Sequence, residues 1–129
     1  MITKLTHSTV FVRDQDEALG FYTEKLGFVK RIDNTMSNGY RWLTVGPAAQ
    51  PDLELALIRA EDDDQQARIG RQVGDHILFI LQTDDIQKTY EELTARGVHF
   101  RSQPEKQFYG TDAIFEDLYG NRFDLVQPA

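Results

Sequence analysis

The 129-residue chain contains no cysteine. This absence excludes disulfide frameworks, thiolate metal sites, iron–sulfur clusters and cysteine nucleophiles. No apolar run approaches the roughly 20 residues that a transmembrane helix needs. The segment 1–7 is too short and too polar for a signal peptide. The sequence therefore predicts a cytoplasmic protein that has no membrane partner.

Positive charge is also scarce, because the chain has 14 Lys and Arg residues but 21 Asp and Glu residues, which gives a formal net charge of −7. A net negative surface repels nucleic-acid phosphates and anionic lipid, so neither is expected as a partner. The sequence also lacks a Gly-x-Ser-x-Gly nucleophile motif and a glycine-rich phosphate loop. The length and the 40% apolar content predict one globular domain over residues 1–129.

Two stretches of the chain carry the same signals in the same order. In the first, an apolar strand-like segment precedes Asp14, a residue type that caps helices, and an amphipathic stripe (Leu19, Tyr22, Leu26) ends at Gly27. In the second, Asp84-Asp85 is the predicted helix cap, and Asp84 and Gly97 each follow their counterparts by 70 residues. The sequence therefore predicts a structural repeat.

Strand-like segments without helical periodicity follow each predicted helix, three in each half. They are Phe28–Ile32, Tyr40–Val45, Leu53–Ile58, Val98–Ser102, Ala113–Glu116 and Arg122–Gln127. The pattern predicts an α+β fold of two tandem βαβββ modules, about 1–60 and 76–129, with helices outside curved mixed sheets that form a cup. An acidic linker at about 61–75 is predicted to be a solvated loop with a short helix around Ala67–Gln72.

This duplicated plan resembles the vicinal-oxygen-chelate superfamily, which includes glyoxalase I, fosfomycin- and bleomycin-resistance proteins and extradiol dioxygenases. The likeness is carried by Leu5–Val12, Phe21–Phe28, Thr83–Ile86, Tyr90–Val98 and Glu116–Gln127. It implies the glyoxalase/bleomycin resistance/dioxygenase fold, a small-molecule substrate or ligand, and a homodimer. The superfamily hosts several reactions as well as plain drug sequestration, so the fold does not decide the function.

Metal-using members of the superfamily take one His or Glu ligand from each of four strands. The resemblance places the first two ligands at His7 and Glu54, whose structural alternatives are a surface histidine and a solvent-facing strand residue. The third position falls on Leu78, which cannot bind metal, whereas His76 lies two residues earlier on the same strand face. A register shift is one way for His76 to act as the ligand.

The fourth ligand position is Asp124, where the superfamily normally has Glu. The shorter side chain reaches less far, and an Arg122–Asp124 ion pair without catalytic meaning is the alternative. The implied cofactor is a divalent Ni, Zn, Mn or Fe ion with open positions for two adjacent substrate oxygens, or none.

Aromatic and cationic residues fall where the resemblance places the cup. They are Arg41, Trp42, Phe108 and Tyr109. We interpret them as walls of a substrate pocket, with core aromatics as the alternative. Tyr109 is a candidate hydrogen-bond donor, and Glu54 or a metal-bound water is the candidate catalytic base.

Two functions of different classes follow. One is a divalent-metal-dependent lyase, isomerase or dioxygenase that acts on a substrate with vicinal oxygens. The other is a metal-free protein that sequesters a drug or metabolite, which Leu78 and the negative charge favour, since that charge suits a cationic ligand. The sequence predicts a small-molecule-binding protein and leaves its enzymatic activity open.

Overall fold

The chain divides into two compact units, Met1–Ile69 and Gly70–Ala129, in a computed structural model that describes residues 1–129. Each unit contains one open, four-stranded mixed sheet and a helix that follows its first strand. The predicted α+β plan of tandem βαβββ modules is confirmed. None of the helices has the length and apolar character required to cross a bilayer.

The sheet of the first unit consists of β1 (His7–Val12), β2 (Val29–Thr35), β3 (Arg41–Gly46) and β4 (Glu54–Arg59). Its strand order is β1-β4-β3-β2. Strands β1 and β4 are parallel, whereas the other neighbours are antiparallel. The helices of this unit are α1 (Gln15–Gly20), which continues as a π-helical turn over Phe21–Lys25, and α2 (Asp63–Arg68).

Helix α1 begins where the sequence predicts, because the Asp14 carboxylate accepts the backbone N–H of Glu17 over 2.9 Å. The predicted stripe is only partly correct. Tyr22 is fully buried, whereas Leu19 and Leu26 are half-buried. The π-helical turn adds a residue per turn and so changes which side chains face the core.

The two faces of the first sheet differ in polarity. Alternate residues place an apolar set on one face, where Val10, Val12, Leu43, Val45 and Leu57 are fully buried. The opposite alternation places His7, Trp42, Thr44 and Glu54 on the other face. This second face, which we call the polar face, holds most of the predicted site residues of the first unit.

The sheet of the second unit consists of β5 (Ile77–Gln82), β6 (Glu105–Gln107), β7 (Gly110–Glu116) and β8 (Arg122–Pro128), in the order β5-β8-β7-β6. Helix α3 (Ile86–Ala95) is capped by Asp85, whose carboxylate accepts the N–H of Lys88 over 3.1 Å. Phe115 and Phe123 are almost fully buried, and Phe79 stacks on Phe123 with ring centroids 5.8 Å apart. These rings form the core of the unit.

The strand predicted over Val98–Ser102 is wrong. This segment makes an isolated bridge between Phe100 and Phe115, flanked by backbone hydrogen bonds from Arg101 N–H to Ile114 O and from Glu116 N–H to His99 O, and it does not extend into a strand. The strand that pairs with the other end of β7 is Glu105–Gln107. The Ser102 hydroxyl accepts the N–H of Ile114 over 3.0 Å, so a side chain replaces the backbone acceptor that a ladder would need.

The short linker helix lies at Asp63–Arg68, a few residues before the predicted range. Asp62 caps it by accepting the N–H of Gln65 over 2.8 Å, and Gly70, with φ of 74°, follows the helix end. The acidic run at 61–64 is exposed, as predicted.

Candidate functional site

His7 and Glu54 are neighbours on the polar face. The parallel pairing of β1 with β4 sets their Cα atoms in register, so the two side chains leave the sheet on the same side. His7 Nε2 lies 3.8 Å from Glu54 Oε2, and the side chains are 40% and 20% exposed. This separation exceeds a direct hydrogen bond, so both atoms can contact a third group.

Trp42 lies beside His7. Its ring centroid lies 5.7 Å from that of His7, with the two rings tilted by 52°. Trp42 is half-buried, and it is the single tryptophan of the chain. Aromatic rings of this kind can hold a planar group or a positive charge.

Thr44 is a residue of this face that the sequence interpretation does not single out. It is fully buried, and its hydroxyl lies 2.5 Å from Glu54 Oε1. Thr44 Oγ1 also accepts the backbone N–H of Ile32 over 3.2 Å. The sequence does indicate that Thr44 shares a face with Trp42, because the two lie two residues apart along one strand. It does not indicate the contact with Glu54, which depends on the β3–β4 pairing.

Arg41 points away from the polar face, because it alternates with Trp42 along β3. Its guanidinium forms hydrogen bonds of 2.8 Å to both carboxylate oxygens of Asp33 and one of 2.7 Å to Asp16. The hydrogen bond from Arg41 lowers the pKa of Asp33, and the two carboxylates raise the pKa of Arg41. Arg41 borders a polar cavity of about 380 Å³, whose other lining residues are Gln15, Asn38, Gly39, Tyr40, Arg59 and Glu61.

Asp124 lies beside a second carboxyl group, that of Asp112, in the second unit. Burial, a hydrogen bond with Asp112 and the charge of Asp112 together raise the pKa of Asp124 to about 7. Asp112 is itself buried and accepts hydrogen bonds from Gln107 Nε2 (3.3 Å) and the Tyr109 hydroxyl (3.1 Å). One Asp124 oxygen, Oδ1, is buried without a hydrogen-bond partner.

The Arg122–Asp124 ion pair, the alternative to a ligand role for Asp124, is not formed. Arg122 Nη1 donates to the backbone oxygen of Asp75 over 2.6 Å instead. That carbonyl lies just before β5, so this bond fixes the segment ahead of the strand.

The two aromatic residues predicted in the second unit lie at the β6–β7 turn. Phe108 is 97% exposed, so its interpretation as a core residue is wrong. Tyr109 packs edge-on against it, with centroids 5.1 Å apart. Partial burial, the hydrogen bond to Asp112 and the charges of Asp112 and Asp124 raise the pKa of Tyr109.

The two predicted positions that remain, His76 and Leu78, lie just before and at the start of β5. His76 is exposed immediately before the strand, with Nδ1 3.4 Å from the carbonyl oxygen of Ile77. Leu78 is half-buried at a register shift between Ile77 and Phe79. His99 is exposed.

The side chains that could bind a divalent ion do not form a cluster in this structure. A metal site in proteins uses three or four side-chain ligands. Among residues 1–129, no group of three or more His, Cys, Asp or Glu side chains is arranged to hold a metal ion. Within the first unit, His7 and Glu54 are the pair that the structure brings together, and the four-ligand site stays a prediction.

Comparison with known proteins agrees with this architecture. Residues 4–125 match the model of the Glyoxalase/Bleomycin resistance protein/Dioxygenase superfamily. The chain belongs to this superfamily. A protein from Shewanella frigidimarina (strain NCIMB 400) is 39% identical to this superfamily member over 129 residues, 98% of this chain and 95% of that protein.

Two solved structures of similar proteins extend the comparison. UcmS2 is 39% identical, with a TM-score of 0.87 and 98% of both chains covered. TnmS3, described as an antibiotic binding protein from Streptomyces sp. CB03234, is 30% identical, with a TM-score of 0.80 and 99% and 98% of the two chains covered. Both likenesses cover almost the whole of this superfamily member.

Proposed function

We propose that the protein binds a small aromatic ligand that carries a positive charge, on the polar face of the first sheet. The observation that carries this proposal is the position of His7, whose ring centroid lies 5.7 Å from that of Trp42 and whose Nε2 lies 3.8 Å from Glu54 Oε2. The rings offer stacking surface and the carboxylate offers an acceptor for a cationic N–H group.

Charge and similarity support the same class of ligand. The formal net charge of −7 favours the approach of cations. The similar protein TnmS3 is described as an antibiotic binding protein. Drugs and metabolites with a flat ring system and an amine are therefore the class that we propose for this chain.

The proposal is tested with two planar probes, the cation proflavine and the uncharged acridone. Because Trp42 is the single tryptophan, its emission reports on this face alone. We expect proflavine to quench Trp42 and to bind more tightly than acridone. Unchanged emission and no heat of binding with either probe would contradict the proposal.

Two variants separate the role of Glu54 from that of overall charge. Glu54→Gln removes the carboxylate from the face, whereas Glu17→Gln removes the same charge from an exposed position on α1. We expect Glu54→Gln to weaken proflavine binding about tenfold, with Glu17→Gln close to wild type. Equal effects of the two substitutions would show that only the net charge matters.

The second candidate function is a divalent-metal-dependent lyase, isomerase or dioxygenase, which the register pairing of His7 with Glu54 favours. Such an ion would stabilise developing charge on substrate oxygens. His76 and Asp124 stay predicted ligands. This function requires about one ion per chain in metal analysis of the purified protein, lost in His7→Ala.

The variant His7→Phe distinguishes the two functions. It keeps an aromatic ring next to Trp42 but removes the nitrogen that a metal needs. The metal-free binding protein is expected to keep its affinity for proflavine in this variant. The metal-dependent enzyme is expected to lose both its ion and its activity.

We further propose a homodimer, as the resemblance to the superfamily implies. The chain mass is 14.8 kDa. Light scattering on a gel-filtration peak is expected to give about twice this mass, and a monomer mass across the concentration range would contradict the dimer.

A further inference from the structure

We infer that Thr44 is the positioning residue of the polar face, which holds the Glu54 carboxylate in a fixed orientation and leaves one of its oxygens for the ligand. The inference rests on the proposed function, since it concerns how Glu54 meets a bound group. It follows from the hydrogen bonds on either side of the Thr44 hydroxyl.

The direction of these bonds is determined by chemistry. The backbone N–H of Ile32 can only donate, and it reaches Thr44 Oγ1 over 3.2 Å. A carboxylate can only accept, so the hydroxyl hydrogen of Thr44 points at Glu54 Oε1, 2.5 Å away. A hydrogen bond from a hydroxyl to a charged carboxylate is among the stronger hydrogen bonds in proteins.

Two features fix the hydroxyl itself. Thr44 is fully buried, and a β-branched side chain has few χ1 rotamers. The β2–β3 register shifts between Lys30 and Ile32, and the Ile32 N–H beyond the shift is the one that reaches Thr44. The Thr44 hydroxyl is therefore held in place by the backbone of β2 and in turn binds the Glu54 side chain on β4.

The two carboxylate oxygens of Glu54 therefore have different surroundings. Oε1 is occupied by Thr44, whereas Oε2 faces His7 Nε2 at 3.8 Å, beyond hydrogen-bond distance. One acceptor atom, held in place before binding, thus remains for a cationic N–H group. Pre-organisation of this kind improves affinity, because a long side chain does not have to be ordered when the ligand arrives.

The test compares Thr44→Val, which has a similar shape but no hydroxyl, with Thr44→Ser, which keeps the hydroxyl. We expect Thr44→Val to weaken proflavine binding about fivefold to tenfold, and Thr44→Ser to stay within about twofold of wild type. In a Glu54→Gln background, Thr44→Val should have no further effect, because the two residues act as a unit. Equal losses from Thr44→Val in both backgrounds would overturn the inference, since a general packing defect acts in either.

A readout without ligand separates this inference from the proposed function. The two γ-methylene protons of Glu54 should have distinct NMR shifts in wild type and in Thr44→Ser, and should converge in a folded Thr44→Val protein, where the side chain rotates freely. Unchanged Glu54 signals in Thr44→Val would overturn the inference. A wild-type protein that binds neither probe would overturn the proposed function alone, and the Glu54 signals then decide whether Thr44 orients the carboxylate.

Discussion

The raised pKa of Asp124 predicts that the protein loses stability as the pH rises. Between the ordinary carboxyl pKa of 3.8 and the folded value of about 7, the folded protein keeps a proton that the unfolded chain has released. Stability therefore falls through this range and levels off above it. The full difference corresponds to about 4 kcal/mol, and partial exposure of the carboxyl reduces it to about 1–2 kcal/mol.

The variant Asp124→Asn removes this titration. We expect it to match wild type near pH 4 and to be about 1–2 kcal/mol more stable at pH 8. Asp112→Asn should remove part of the same pH dependence, because it eliminates the neighbouring charge but not the burial. The measurement is urea unfolding at pH 4, 6 and 8, monitored by circular dichroism.

The control for this experiment is Asp84→Asn, at an exposed carboxyl that undergoes the same change of charge. It should differ from wild type by only a small amount. A stability difference between wild type and Asp124→Asn that is constant from pH 4 to pH 8 would refute the reasoning about the carboxyl pair.

Three further predictions concern stability and are all measured by urea unfolding. Leu57→Ala in the fully buried core of the first sheet should cost about 2–5 kcal/mol, and a cost below about 1 would show that the site collapses around the cavity. Asp14→Ala should cost about 1 kcal/mol through loss of the helix cap, with Asp14→Asn retaining most of it. In Gly110→Ala the new methyl group would collide with the carbonyl oxygen of Gln127, whereas in Gly39→Ala it would meet open space. Gly110→Ala should therefore destabilise the protein more than Gly39→Ala. Equal losses of unfolding free energy in the two variants would contradict this prediction.

Local signals in the sequence were sufficient for most of the fold. Asp14 and Asp85 cap the helices, and Gly27 and Gly97 take positive φ after them, because these choices depend on a few neighbouring residues. The strand predicted at Val98–Ser102 failed because the Ser102 hydroxyl replaces a ladder bond, a contact with a residue distant in sequence.

The candidate site was predictable only in part. His7 and Glu54 are paired across β1 and β4, and their role as ligands stays a prediction. The role of Thr44 and the proximity of Asp112 to Asp124 depend on strand register, which composition and spacing do not encode. The orientation of Arg41 away from Trp42 follows from strand alternation, and it separates two residues that are adjacent in sequence.

The measurement that tests the central claim most directly is a ¹⁵N NMR titration of the whole chain with proflavine. The account predicts that the indole N–H of Trp42 and the backbone N–H groups of His7, Thr44 and Glu54 shift together, with one affinity. Shifts confined to residues outside the polar face, or a spectrum that proflavine leaves unchanged, would contradict it.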